Sequence, residues 1–158
     1  MKPTDERPNK VPWPPIILVT LAVAALLLGR FVPLPFPRGA AADILAGAGF
    51  ILIILAIALY ALSARELRKH NTAILPTNAA DRLVTTGPFS ITRNPIYLAN
   101  VILLSGWGLA AGNLWMFAAA ILCGIGEHNL AIKREEAHLE HKFGKAWRDY
   151  RKKVRRWV

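Results

Sequence analysis

Four long apolar runs constrain the fold of this chain more than any other feature of its sequence. They cover residues 14–32, 44–64, 95–112 and 114–132, and the first two together contain a single charged side chain. A helix needs roughly 20 apolar residues to cross the hydrocarbon core of a bilayer. The runs therefore predict an all-α integral membrane protein with four transmembrane helices.

The composition favours a membrane location over a soluble domain. Hydrophobic residues make up 54% of the 158 residues and charged residues 19%, whereas a soluble domain has about 45–50% apolar and about 25% charged residues. The single cysteine, Cys123, excludes an internal disulfide framework. The dipeptide Gly112-Asn113 between the last two runs is a turn signal, so those runs should form a tight helical hairpin.

The positive charges are distributed unevenly along the chain. The net charge is +10, and 18 of the 20 Lys and Arg residues lie in the tail 1–13, in the loop after the second run, and from Lys133 onward. Because cytoplasmic loops are enriched in Lys and Arg, this pattern predicts that both termini are cytoplasmic. A basic chain can also bind nucleic acid, but four spans favour membrane lipids as the partner, and we expect no nucleic-acid partner.

Residues 14–158 are predicted to form one membrane domain that follows the tail. At about residues 133–156, beyond the last span, apolar side chains recur every three or four positions within a basic sequence. This periodicity predicts an amphipathic helix. Such a helix can lie on anionic lipid headgroups at the cytoplasmic surface.

A polar stretch precedes the third apolar run. Gly87-Pro88 is a turn dipeptide, and Pro95 suits the first turn of a helix, where its missing N–H is no loss. Asn94 is then a good N-cap, and Arg93 comes directly before it. The free N–H groups at such a helix start could bind a carboxylate. The alternative is a capped helix with an interfacial arginine and no ligand.

A second polar stretch, Glu127–Glu140, begins before the fourth apolar run has ended. Ionisable residues at membrane depth usually face an interior cavity. His128 and Glu135 are seven residues apart and share one helical face, and Glu136 points about 100° away from Glu135. The alternatives are an acidic turn that pairs with neighbouring Lys and Arg, and a histidine that bonds to backbone or lipid.

Together the two stretches match a pattern found in a known family. The chain resembles the integral-membrane methyltransferases of the isoprenylcysteine carboxyl methyltransferase type, whose pattern is largely shared by the phospholipid amine methyltransferases. The resemblance covers about half of the chain, from Leu83 onward. The matching positions are Gly87, Pro88, Phe89, Arg93, Asn94, Pro95 and Tyr97, followed by Glu135, Glu136, Leu139, Phe143, Gly144, Trp147, Tyr150 and Val154.

The resemblance implies that S-adenosylmethionine is the methyl donor and that the acceptor is a lipid-soluble or lipid-modified molecule. It assigns cofactor binding by position to Gly87, Pro88, Phe89, Arg93, Asn94, Pro95, Tyr97, Glu135 and Glu136. It also implies that the segment from Phe143 to Tyr150 closes the pocket from the cytoplasm. The isoprenylcysteine branch has His where this chain has Asn94, so an acid–base role of that histidine is not transferred.

The candidate catalytic residues are Glu135, Glu136, Arg93 and His128. An amine acceptor must lose a proton, and Glu135 or His128 could accept it. A carboxylate acceptor would instead be repelled by the acidic pair unless an arginine compensates. Carboxyl O-methylation and amine N-methylation therefore both stay open.

Two other functions are compatible with the sequence. One is a membrane enzyme of the same fold with another cofactor, such as a nicotinamide-dependent reductase. The other is a non-enzymatic membrane scaffold whose basic segment recruits partners. No metal site is expected, because His138 and His141 flank Glu140 without the spacing of a helical metal pair.

Overall fold

The computed structural model describes residues 11–72 and 82–158, so only the last three residues of the predicted tail 1–13 are described. These residues are helical apart from their connections, and among them there is no strand beyond an isolated bridge. The all-α prediction is confirmed for this part of the chain. The elements are α1 (Trp13–Phe31), α2 (Ala40–Lys69), a 3-10 helix (Gly87–Ser90), α3 (Pro95–Ala111), α4 (Trp115–Glu127), a π-helical segment (His128–Ile132), α5 (Lys133–Phe143) and α6 (Lys145–Lys153).

Within residues 11–72 and 82–158, three helices are long and apolar enough to cross a membrane. They are α1, α2 and the continuous helix Trp115–Phe143, with mean hydropathies of 2.0, 2.6 and 1.3. Helix α3 is apolar but has only 17 residues, and a helix of that length spans about 26 Å. Three candidate spans are thus present among the described residues, and a fourth span through α3 stays a prediction.

The described residues do not confirm one interfacial amphipathic helix at about 133–156, because this range contains two helices, α5 and α6. The helix that begins at Trp115 continues through the π-helical segment to Phe143, because no Gly or Pro interrupts residues 127–143. This helix ends at Gly144, which has a φ of +50°, a conformation that glycine adopts more easily than other residues. Helix α6 follows, and residues beyond Lys153 leave the helix in an extended conformation.

Glycines bring the backbones of α2 and α3 together. A Cβ on Gly106 would lie 2.9 Å from the carbonyl oxygen of Gly49, and a Cβ on Gly49 would lie 2.5 Å from the backbone nitrogen of Ala110. Small residues of this kind permit close helix packing in membranes. On the other side of α3, α1 packs against α4 around a core of Ala25, Leu104, Met116, Ala119, Ala120 and Cys123.

The predicted turn at Gly112-Asn113 is present. Gly112 ends α3 in the left-handed conformation, with φ +62°. The Asn113 side chain accepts a hydrogen bond from the Trp115 N–H at 3.0 Å and donates one to the carbonyl oxygen of Ala25 at 2.9 Å. The turn therefore also ties the α3–α4 hairpin to α1.

The outer faces of the helices remain apolar. On α2, the side chains of Phe50, Ile51, Ile54 and Ile57 are all more than half exposed. Contiguous exposed apolar surface marks a site of interaction with protein or membrane. A face of this kind on a helix of membrane-crossing length is suited to contact with lipid chains.

Candidate functional site

A cavity of about 380 Å³ lies where α2 ends and α3 begins, within the range of about 300–1,000 Å³ that is usual for small-molecule sites. Its walls come from α1, α2, the start of α3, α5 and α6. Seven of the residues that the sequence assigns to cofactor binding line it: Phe89, Arg93, Asn94, Pro95, Tyr97, Glu135 and Glu136. The two polar stretches, which are about 40 residues apart in sequence, therefore meet at one cavity.

Three predicted residues lie elsewhere. Gly87 and Pro88 line a separate cavity beside the end of α2. Gly87 has a φ of +59°. The hydroxyl of the neighbouring Thr86 donates a 2.5 Å hydrogen bond to Glu66 Oε1, which ties this turn to the end of α2. His128 lies outside the main cavity wall, next to Arg156.

Arg93 is a buried cation in the cavity wall. Its side chain is 7% exposed, and its Nη2 lies 3.1 Å from Glu136 Oε1. The centre of the guanidinium lies 5.4 Å from the centre of the Trp147 ring, within the range of a cation–π contact. Burial lowers the pKa of Arg93 and the Glu136 carboxylate opposes this shift, so the guanidinium remains charged.

Arg93 and its neighbour also hold unused hydrogen-bond donors. Within the described residues, the buried Nε and Nη1 atoms of Arg93 and the Nε1 atom of Trp147 have no hydrogen-bond acceptor. Leaving a buried donor unpaired costs roughly 1–3 kcal/mol. A ligand with a carboxylate or another anionic acceptor would remove this cost.

Glu136 is held by two arginines. Its Oε1 accepts a 2.9 Å hydrogen bond from Arg156 Nε, and its Oε2 accepts a 2.5 Å hydrogen bond from Arg156 Nη2. Oε1 also pairs with Arg93. Both oxygens of this carboxylate are therefore engaged, which suits Glu136 to positioning the arginines rather than to accepting a proton.

Glu135 has a different environment from its neighbour. The buried Tyr97 hydroxyl donates a hydrogen bond to Glu135 Oε1, which links the start of α3 to α5. Both side chains line the cavity. Tyr97 and Glu135 thus add a second polar contact to the cavity wall, beside the one that Arg93 makes with Glu136.

The ring of His128 contacts Arg156. Its Nε2 lies 3.4 Å from Arg156 Nη1. A guanidinium nitrogen can only donate a hydrogen bond, so the histidine nitrogen is the acceptor. Glu135 lines the cavity and His128 does not, which makes Glu135 the better placed of the two candidate bases.

Asn94 begins α3 but does not cap it in the predicted way. It occupies the N-cap position without a side-chain capping bond. Its Nδ2 instead donates a 2.9 Å hydrogen bond to the carbonyl oxygen of Arg156. This contact with Arg156 occupies the Asn94 side chain, while Thr92 Oγ1 accepts a 3.2 Å hydrogen bond from the Asn94 N–H. The predicted N-cap position of Asn94 is therefore confirmed, and the prediction of a capping hydrogen bond from its side chain is wrong.

The segment expected to close the pocket does form a wall of the cavity. Trp147 and Tyr150 of α6 both line it, and their rings pack edge to face at 5.7 Å. The Tyr150 hydroxyl donates a 2.6 Å hydrogen bond to the carbonyl oxygen of Phe89. Burial raises the pKa of Tyr150, so it remains a donor at neutral pH.

Sequence reasoning missed a buried polar chain at the other side of the cavity. The Tyr60 hydroxyl donates to Asn100 Oδ1, and Asn100 Nδ2 donates to the fully buried Glu127. Tyr60 and Asn100 line the cavity. The signal was present in the sequence, because Asn100 is a strongly polar residue within an apolar run and such residues are costly in a membrane.

Comparison with known proteins identifies a family for this chain. The model of the phospholipid methyltransferase family matches residues 45–146, which is more than half of the chain. An uncharacterized protein of Haemophilus influenzae is 38% identical over 63 residues, which are 40% of this chain and the whole of that relative. Together with the three apolar helices, the family match indicates an integral membrane protein. The resemblance seen in the sequence is confirmed, and the chain belongs to the phospholipid methyltransferase family.

Proposed function

We propose that this protein is a membrane-embedded methyltransferase that uses S-adenosylmethionine and acts on a lipid or lipid-modified acceptor. The observation that carries the proposal is the buried Arg93, a cation with unpaired donors in the wall of a cavity that also has an apolar side. Family membership supplies the reaction class.

The residues present fit the donor at the polar side of the cavity. Its carboxylate would provide acceptors for the Nε and Nη1 atoms of Arg93 and for the Nε1 atom of Trp147, three donor atoms that have no acceptor among the described residues. Its sulfonium group would be favoured near Glu135, because a negative charge favours a nearby positive one. When bound, S-adenosylmethionine supplies a methyl group on a positively charged sulfur.

The protein's contribution to the reaction is alignment and exclusion of water. Alignment of two reactants can remove about 7–11 kcal/mol from a barrier. Tyr97 fixes Glu135, and Trp147 and Tyr150 form the wall contributed by α6. For an amine acceptor, Glu135 is the proposed base. A carboxylate acceptor needs no base, and Arg93 would offset its charge.

The apolar side of the cavity supports a lipid-soluble acceptor. It is lined by Pro14, Pro15 and Leu18 of α1 and by Leu67 of α2. Helix α1 packs mainly on α4, and α2 packs mainly on α3. An acceptor with a long apolar chain would enter between α1 and α2 from the lipid.

The proposal includes a topology. The cavity end of the bundle carries Arg65, Arg68 and Lys69 together with the cations of α5 and α6, and we assign this end to the cytoplasm by the positive-inside rule. The opposite end holds the Gly112-Asn113 turn, beside the loop after α1. Four spans, including the short α3, then place both termini in the cytoplasm, and α6 lies at the membrane surface.

Calorimetric titration of the detergent-purified protein with S-adenosylhomocysteine tests the donor. We expect micromolar binding that Arg93→Gln abolishes and that Arg148→Gln, an exposed arginine on α6, leaves unchanged. Absence of binding by folded protein at millimolar ligand would overturn the proposal. Binding of a reduced nicotinamide in the same experiment would favour the reductase alternative.

The acceptor is tested by incubating the protein and membrane lipids with methyl-labelled donor. Label that base treatment releases identifies a methyl ester and therefore a carboxyl acceptor. Label that survives base treatment identifies an N-methylated amine. Glu135→Gln should slow N-methylation about 10²–10⁴-fold, because it removes the proposed base, whereas ester formation should keep part of its rate. No labelled lipid product from either reaction would contradict the lipid acceptor.

A further inference from the structure

Segment 154–158 packs across the start of α3. The Arg93 N–H donates a 3.0 Å hydrogen bond to the carbonyl oxygen of Arg155, and Thr92 and Arg155 form an isolated parallel bridge. The carbonyl oxygen of Arg156 accepts hydrogen bonds from the side chains of Thr92 at 3.1 Å and Asn94 at 2.9 Å. The backbone of this segment therefore holds the residues on either side of Arg93.

Trp157 anchors the segment beyond these hydrogen bonds. It packs against a buried cluster of Tyr97, Ala131 and Ile132, which joins the start of α3 to the π-helical segment. The segment is thus tied to the same helices that carry the cavity residues. It also lies outside residues 45–146, the part of the chain that the family model matches.

The Arg156 side chain acts on the cavity through Glu136. It donates to both carboxylate oxygens, at 2.9 Å and 2.5 Å, and these hydrogen bonds raise the pKa of Arg156. Only one of the three guanidinium nitrogens of Arg93 pairs with this carboxylate. Without Arg156, both oxygens of Glu136 would be open to Arg93. The bidentate geometry that arginine and carboxylate favour would then engage a second guanidinium nitrogen of Arg93.

We propose that segment 154–158 is part of the ligand site and that Arg156 is a positioning residue, which occupies Glu136 and so keeps the donors of Arg93 available to the carboxylate of the methyl donor. The inference rests on the proposed function, because it concerns the same ligand. It adds a residue that acts through another side chain and lies beyond the family-matched region.

The test measures the affinity of full-length protein for S-adenosylhomocysteine. We expect Arg156→Ala to weaken binding about tenfold, the lower end of the losses seen when a residue that orients a metal-ligating side chain is removed. Arg148→Ala is the matched control, because it removes the same charge from an exposed arginine of α6 that does not line the cavity. It should bind as the wild type does.

Chemical rescue separates positioning from a purely structural role. Millimolar guanidinium chloride should restore most of the affinity of Arg156→Ala, while the same concentration of sodium chloride should not. Unchanged affinity in Arg156→Ala, or a loss that guanidinium does not restore, would overturn the inference. If that variant does not fold, Arg156→Lys keeps the charge without the bidentate geometry, and wild-type affinity in it would also overturn the inference.

The outcome for the wild-type protein distinguishes the two proposals. Wild-type binding together with unaffected Arg156→Ala rejects the positioning role and leaves the proposed function intact. Failure of the wild type to bind rejects the proposed function, and the inference about Arg156 with it.

Discussion

In the middle of the bundle, α2 and α3 approach each other through glycine, and a Cβ on Gly106 would lie 2.9 Å from the carbonyl oxygen of Gly49. At the cavity end, long charged and aromatic side chains lie between the segments and line the cavity. Glu136 is shared there by Arg93 and Arg156. The first region is held by close packing of backbone. The second depends on hydrogen bonds and charge.

The difference between these two regions explains why the ligand cavity lies at one end of the bundle and not in its middle. A membrane helix pair gains van der Waals contact by removing side chains from the interface, which leaves no room for a ligand. The cavity end has its room because bulky groups hold the segments apart. Changes in the middle should therefore affect folding, whereas changes at the cavity end should affect ligand binding and rate.

The largest expected effect is on rate, from Glu135→Gln. The substitution keeps the shape and the contact with Tyr97 but removes the charge that faces the cavity. General acid–base catalysis contributes about 10²–10⁴-fold, and we expect a loss of that order in N-methylation, measured by transfer of labelled methyl groups.

Glu140→Gln is the control for that experiment. Glu140 lies on the same helix but pairs with the exposed Arg151. Its rate should stay within about twofold of the wild type, because exposed ion pairs contribute little. Equal losses in the two variants would show that the charge of α5, and not the cavity position, determines the rate.

The next effect is on stability, from Gly106→Leu. The new side chain would collide with backbone atoms of α2, which cannot move as a flexible side chain can. Overpacking of a core typically costs about 1–3 kcal/mol, and we expect a loss at or above the upper end, seen as a lower thermal unfolding temperature in detergent. A Cβ on Gly47 would meet no atom of the described residues within 4 Å, so Gly47→Leu should unfold near the wild-type temperature. Similar unfolding temperatures for the two variants would contradict close backbone packing.

A smaller effect is expected from Tyr150→Phe. The variant keeps the ring and its edge contact with Trp147 but loses the hydrogen bond to the carbonyl oxygen of Phe89. A typical hydrogen bond contributes about 0.5–1.5 kcal/mol. We expect a loss of stability of that size, measured by thermal unfolding. A larger loss would indicate that the 3-10 helix depends on this one contact.

The smallest effect is expected for the stability of Glu140→Gln. Glu140 pairs with Arg151 at 3.2 Å and with Arg148 at 4.0 Å, and all three side chains are substantially exposed. Such pairs contribute at most about 1 kcal/mol and often nothing measurable. We expect an unfolding temperature within error of the wild type at physiological salt. The contradicting result would be a clearly lower unfolding temperature in the variant, without a similar decrease when high salt screens the ion pair in the wild type. It would show that Glu140 is coupled to the charged cluster of Arg93, Glu136 and Arg156.

Much of the helical architecture could be predicted from the sequence. The apolar runs locate α1, α2, α3 and α4, because each helix must bury or expose to lipid a continuous apolar surface. The turn at Gly112 is equally local, since a left-handed residue favours glycine. The helix that ends at Phe143 was not predicted, because composition changes at Lys133 while nothing in the backbone stops the helix there.

Only part of the candidate site could be predicted from the sequence. The motif positions identified Arg93, Glu135 and Glu136, and the structure brings all three to one cavity. Arg156 was not singled out, because it is one cation in a run of basic residues. Its importance comes from a contact with Glu136, twenty residues away, which no local pattern marks.

The sequence by itself determined that this chain is helical, apolar enough for a membrane, and a carrier of the family's two polar motifs, because hydrophobicity and turn preference act on neighbouring residues. Only the tertiary structure decided what each polar side chain does. In the tertiary structure Glu135 accepts a hydrogen bond from Tyr97 and Glu136 pairs with two arginines, although the two glutamates are adjacent and chemically identical. Their roles differ because hydrogen-bond partners are chosen by distance in space, and segments far apart in sequence supply them.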